Sequence, residues 1–100
     1  MEVHVHPRIE RRHPELGPCD VQKAWRSYAG AATRKPGERE LRVGFDELER
    51  ELEMVGVLTT DGWLAYHAIT PPSRKTMREI EQALRRRWRW PSTVWQTGTW

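Results

Sequence analysis

Residues 50–69 read Arg-Glu-Leu-Glu-Met-Val-Gly-Val-Leu-Thr-Thr-Asp-Gly-Trp-Leu-Ala-Tyr-His-Ala-Ile, and the fold turns on how they are parsed. Phe45, Leu48, Leu52 and Val55 obey helical spacing, and the glutamate- and leucine-rich run up to Met54 has high helix propensity. Against that, Leu52, Met54, Gly56 and Leu58 alternate with Glu53, Val55 and Val57, the period of a strand. Asp61-Gly62 is a strong hairpin signal, and Trp63–Ile69 follows as the return strand. A hairpin needs a partner before its turn. Residues 50–59 are therefore read as strand, with a turn or a single helical turn at Asp46–Glu49.

Upstream, Val3 and Val5 alternate with His4 and His6 as a short half-buried strand that Pro7 ends. Pro7–His13 fits a first short helix limited by Pro14. A second helix starts at Gly17-Pro18-Cys19-Asp20, with Pro18 at the first helical position and Asp20 favouring the positive end of the dipole. Val21, Ala24, Trp25 and Tyr28 share one of its faces. Ala29-Gly30 lets that helix fray, 34–37 is a turn, and Leu41 and Val43 mark a strand over 40–44. Downstream, Ser73 caps a final helix from Arg74 to Trp88 with Met77, Ile80, Leu84 and Trp88 as its buried stripe, and Pro91 stops it. The expectation is an α+β fold, a small antiparallel sheet with two N-terminal helices and one C-terminal helix in the order β-α-α-β-β-β-α. Residues 1–90 form a single domain and 91–100 a tryptophan-containing tail.

Charge is segregated along the chain. Residues 70–100 hold seven Lys/Arg against Glu79 and Glu81, a balance of +5, whereas residues 1–69 carry −2. The cationic end suits an anionic partner such as RNA, with Lys75, Arg78, Arg85, Arg86, Arg87, Trp88 and Arg89 as the residues that would bind it. The same arginines also fit, as secondary readings, a solvated helix or an acidic protein partner. Trp25, Trp63 and Trp88 fit core positions; Trp90, Trp95 and Trp100 fall past the last periodic residue and suit contact with a protein, including a homodimer through the C-terminus, with base stacking by Trp88 and Trp90 or a loose tail as the alternatives.

A chain of 100 residues makes one domain with a thin core. Cys19 has no partner for a disulfide, which fits a reducing compartment. The N-terminus lacks the pattern of a signal peptide, and no apolar run approaches membrane-spanning length, so a cytoplasmic protein without a membrane partner is expected. His4, His6, His13 and Cys19 match no zinc spacing. Neither a metal nor another cofactor is expected.

In this order of elements, several segments carry a resemblance. They are Arg-Arg-His-Pro (11–14), Asp20-Val21 and Ala24-Trp25-Arg26, 39–44, 50–55, and Tyr66-His67-Ala68-Ile69-Thr70-Pro71. Over about residues 3–85 the chain resembles the RelE/BrnT-type toxin superfamily of bacterial toxin–antitoxin systems. Pro14 stands where relatives commonly have glycine after the early histidine, and Glu49 where they tend to have glycine before Arg50. The resemblance implies a metal-independent endoribonuclease neutralised by a cognate antitoxin, cleaving through attack of a ribose 2′-hydroxyl on the adjacent phosphate. It implies His13 or His67 for proton transfer and Arg12, Arg42 and Arg74 for the phosphate. The alternative is a non-catalytic RNA-binding or protein-interaction module built on the basic helix. His67 also fits a core or sheet-edge histidine, His13 an exposed helix end. The acidic residues of 46–53 would repel a phosphate if they shared its face.

Overall fold

The structure is a computed structural model that describes residues 2–96, with side chains over residues 2–85. It is a compact α+β fold of a five-stranded sheet and three helices. In chain order the elements are β1 (Val3–Val5), α1 (Arg8–Arg12), α2 (Pro18–Arg26), β2 (Gly30–Lys35), β3 (Arg39–Phe45), β4 (Glu51–Thr59), β5 (Gly62–Ile69) and α3 (Arg74–Gln96). The sheet runs β1-β5-β4-β3-β2. Among the described residues no helix is long and apolar enough to cross a membrane.

Residues 51–69 do form the central hairpin, antiparallel and closed from Thr59 to Gly62. β4 is buried from both sides. Leu52 and Met54 lie in a core with Val21, Ala24 and Trp25 of α2 and Ile9 of α1, while Val55 lies in a second core with Leu41, Val43, Ala32 of β2 and Ile80 of α3. The sheet is thus the middle of three layers. Glycines let α2 approach it closely. A Cβ on Gly56 would lie 2.5 Å from the Trp25 ring, and one on Gly44 would collide with the Ala24 carbonyl oxygen.

Four expectations are corrected. A further strand, β2, occupies 30–35, where a frayed helix and a turn were expected; its order becomes β-α-α-β-β-β-β-α. Ala-Ala-Thr-Arg-Lys carries little alternation, and its strand state comes from pairing with β3 and from α3 packing on Ala32. The sheet is mixed rather than antiparallel, because β1 pairs parallel with β5. α3 continues through Pro91 to Gln96 instead of ending near Trp88; a proline removes one N–H from a helix, a loss that a long helix can absorb by bending. Among its residues with described side chains, Thr76 and Ile80 are buried, with Ala83 and Leu84 packed alongside, whereas Met77 is exposed. Trp88, Trp90, Trp95 and Trp100, and Arg86, Arg87 and Arg89, lie outside the residues whose side chains are described.

The β3–β4 connection explains the acidic segment. Asp46 is buried and accepts the N–H groups of Leu48 and Arg50 and the Arg50 Nε at 2.8–2.9 Å. Burial works against its charge, but the backbone and guanidinium of Arg50 hold its pKa below the ordinary value. This loop puts Glu49 at φ 60°, a left-handed conformation that favours glycine. Glu49→Gly should therefore raise stability by about 1 kcal/mol. Gly44→Ala should lower it by about 1–3 kcal/mol through overpacking against α2. Urea unfolding of the two variants checks both signs.

Candidate functional site

β1 covers only the first part of β5: its partners are Trp63, Leu64 and Ala65. Beyond them the chain leaves the sheet, with the His6 N–H on the Ala65 carbonyl at 2.8 Å and the Arg8 N–H on His6 Nδ1 at 3.1 Å. α1 then lies beside the part of β5 that β1 leaves uncovered. The pairing of β4 with β5 slips by one residue there, Val55 facing His67 and Gly56 facing Ala65, so Tyr66 is the extra residue of a bulge. Bulges re-aim side chains. Tyr66 and His67, adjacent at this slip, both border the space beside α1.

That space is a pocket of about 110 Å³ lined by Arg8, Ile9, Arg12, His13, Tyr66, His67 and Ala68. Arg8 is anchored across it, its Nε donating to the Tyr66 carbonyl at 3.1 Å and its guanidinium 5.7 Å from the centre of the Tyr66 ring. His13 closes α1, its N–H on the Ile9 carbonyl at 2.8 Å, with Nδ1 3.9 Å from the Glu15 carboxylate. The two histidines proposed from sequence for proton transfer thus line one pocket, together with Arg12.

His67 is held from behind. Val55 and Glu53 lie on the α3 side of β4, so His67, cross-strand partner of Val55, is the diagonal neighbour of Glu53. Its Nε2 lies 2.8 Å from Glu53 Oε2. The Glu53 side chain is 9% exposed and that of His67 39%, so the histidine, not the carboxylate, meets solvent. The other carboxylate oxygen, Oε1, accepts the Ser73 N–H and the Ser73 hydroxyl, each at 3.0 Å. Ser73 Oγ in turn accepts the Thr76 N–H at 3.2 Å, the N-cap of α3 anticipated from sequence. Burial alone would raise the Glu53 pKa. Hydrogen bonds from the Thr76 side chain, the Ser73 N–H, His67 and the Ser73 hydroxyl outweigh it and lower the pKa from 4.5 to about 2.

The remaining candidates lie elsewhere. Arg42, expected at a phosphate, is instead packed on three rings, 4.2 Å from the centre of Trp25, 4.3 Å from Tyr28 and 5.6 Å from Trp63. Its Nε donates to Glu40 at 2.9 Å and its Nη1 to the Trp25 carbonyl at 3.0 Å. With its charge paired and its faces stacked, it ties β3 to α2. Arg74, Lys75 and Arg78 are exposed on the first turns of α3 and do not line the pocket. Arg85 is exposed and ion-paired with Glu81. Sequence reasoning missed Arg8, Tyr66 and Glu53; of these, Arg8 carried a signal, standing one turn before Arg12 on a short helix.

No family model, no curated protein and no solved structure matches this chain.

The Glu53 network has a consequence for acid stability. Its folded pKa is depressed, so its contribution is complete above about pH 4.5 and is lost as pH falls toward 2. The size is on the order of 3 kcal/mol. Urea midpoints compared at about pH 6 and about pH 3 should fall less in Glu53→Gln than in the unsubstituted protein. Parallel falls would contradict the assignment.

Proposed function

We propose that this chain is a metal-independent endoribonuclease of the RelE/BrnT toxin type, acting at the pocket between α1 and β5. One observation carries the reading: two histidines, one of them anchored by a buried carboxylate, share a small pocket with two arginines. The element order, a strand and two helices followed by an antiparallel meander and a helix, supports the resemblance in residues 3–85.

Cleavage of RNA by its own 2′-hydroxyl needs a base, an acid and positive charge around the phosphorus. His67, oriented by Glu53, takes the proton of the 2′-hydroxyl. The 2′-oxygen bonds to phosphorus, and the bond from phosphorus to the 5′-oxygen breaks. His13 as imidazolium gives its proton to that leaving oxygen, so the products are a 2′,3′-cyclic phosphate and a 5′-hydroxyl. Arg8 and Arg12 face the non-bridging oxygens, whose charge grows in the transition state. Arg11 on α1 and Arg74, Lys75 and Arg78 on α3 are exposed cations available to flanking phosphates. As a toxin, the chain would be silenced by a cognate antitoxin protein that covers this surface.

Purified protein should cut a labelled single-stranded RNA in EDTA. Both His13→Ala and His67→Ala should lower the rate by about 10²–10⁴-fold while the fold persists by circular dichroism. Arg12→Ala should weaken salt-sensitive binding as well as cleavage. Binding of RNA without cleavage by the unsubstituted protein would instead favour a non-catalytic RNA-binding module.

A further inference from the structure

The ribonuclease reading assigns His67 a role but leaves open what decides which of its nitrogens acts. Glu53 answers this through the way its two oxygens are occupied. Oε1 receives two donors from Ser73, one of them a backbone N–H that cannot reverse its role, and the Thr76 side chain also bonds to the carboxylate. Oε2 faces His67 Nε2. An ionised carboxylate only accepts hydrogen bonds, so Nε2 must carry a proton. Among the described residues no hydrogen bond occupies Nδ1 of His67.

We infer that Glu53 is a positioning residue, which fixes His67 as the Nε2–H tautomer and leaves Nδ1 as the atom that accepts the substrate proton. The inference deepens the ribonuclease reading and rests on it for its catalytic meaning. Glu53 also takes a place that usually belongs to a helix's own third residue. In a capping box a Glu or Gln at that position accepts the N-cap N–H. In α3 the third residue is Thr76, and Glu53 of β4 supplies the acceptor from across the sheet. The anchor of the base and the start of α3 are therefore the same side chain.

This occupancy makes Glu53→Gln diagnostic. The glutamine carbonyl oxygen must face Ser73, because the Ser73 N–H can only donate. The amide nitrogen then faces His67 and donates to Nε2. The neutral ring is forced to carry its proton on Nδ1, with the base nitrogen blocked.

The test is a two-bond ¹H–¹⁵N correlation spectrum of the imidazoles at about pH 9, above the range in which histidines usually carry charge. The unsubstituted protein should show the Nε2–H form of His67 and Glu53→Gln the Nδ1–H form. Ser73→Ala, which keeps the backbone donor, should retain the Nε2–H form. In RNA cleavage, Glu53→Gln should lose at least about 10²-fold in kcat with KM little changed. An Nδ1–H ring in the unsubstituted protein overturns the inference even if Glu53→Gln does not fold. So does a folded Glu53→Gln that keeps the Nε2–H form, or one that cleaves at the original rate. The expected tautomers in a protein that never cuts RNA would instead sink the ribonuclease reading and leave the Glu53–His67 assignment standing.

Discussion

A carboxylate removed from water is costly unless donors meet its lone pairs, and an uncompensated one costs several kcal/mol. Glu53 sits near the start of a central strand, and its partners come from two other elements: His67 from β5, and Ser73 and Thr76 from the start of α3. Their donors can all reach it only when the β4–β5 register is correct and α3 begins where it does. A slip of one residue in that hairpin would turn His67 to the opposite face. The buried charge thus ties register, helix docking and the orientation of one imidazole into a single constraint.

The pocket follows from a mismatch in strand length beside that constraint. β1 has three residues and β5 eight, so the second half of β5 has an uncovered edge. An open edge invites unwanted pairing. Here α1 and the bulge at Tyr66 occupy it, and the arginines of α1 turn the protected edge into a cationic recess. The aromatic grip on Arg42 acts in the opposite direction. It spends a guanidinium on holding α2 to β3 and takes it out of reach of any ligand.

What could be read from sequence divides along physical lines. The β4–β5 hairpin, both early helices and the Ser73 cap are written in local periodicity, proline and turn chemistry, and the structure places them accordingly. β2 was not legible, because Ala31 and Ala32 become a strand through tertiary pairing rather than propensity. The parallel docking of β1 depends on contacts sixty residues apart, which no local pattern encodes. His13, His67 and Arg12 were legible as types suited to phosphate chemistry. Glu53 was not: within a run of acids it looked like a repulsive neighbour, whereas its partners on β5 and α3 make it the support of the site. Arg42 was misread for the converse reason, since the rings that sequester it come from α2 and β5.

The central claim is that α1 and β5 together form a phosphodiester site. Its most direct test is an NMR titration with a 2′-deoxy oligonucleotide, which lacks the attacking hydroxyl and so can bind without reacting. The account predicts that the imidazole signals of His13 and His67 and the Arg12 side-chain signal move together, with one common Kd that weakens as salt rises. Movement confined to α3, with both imidazoles unchanged, would contradict it.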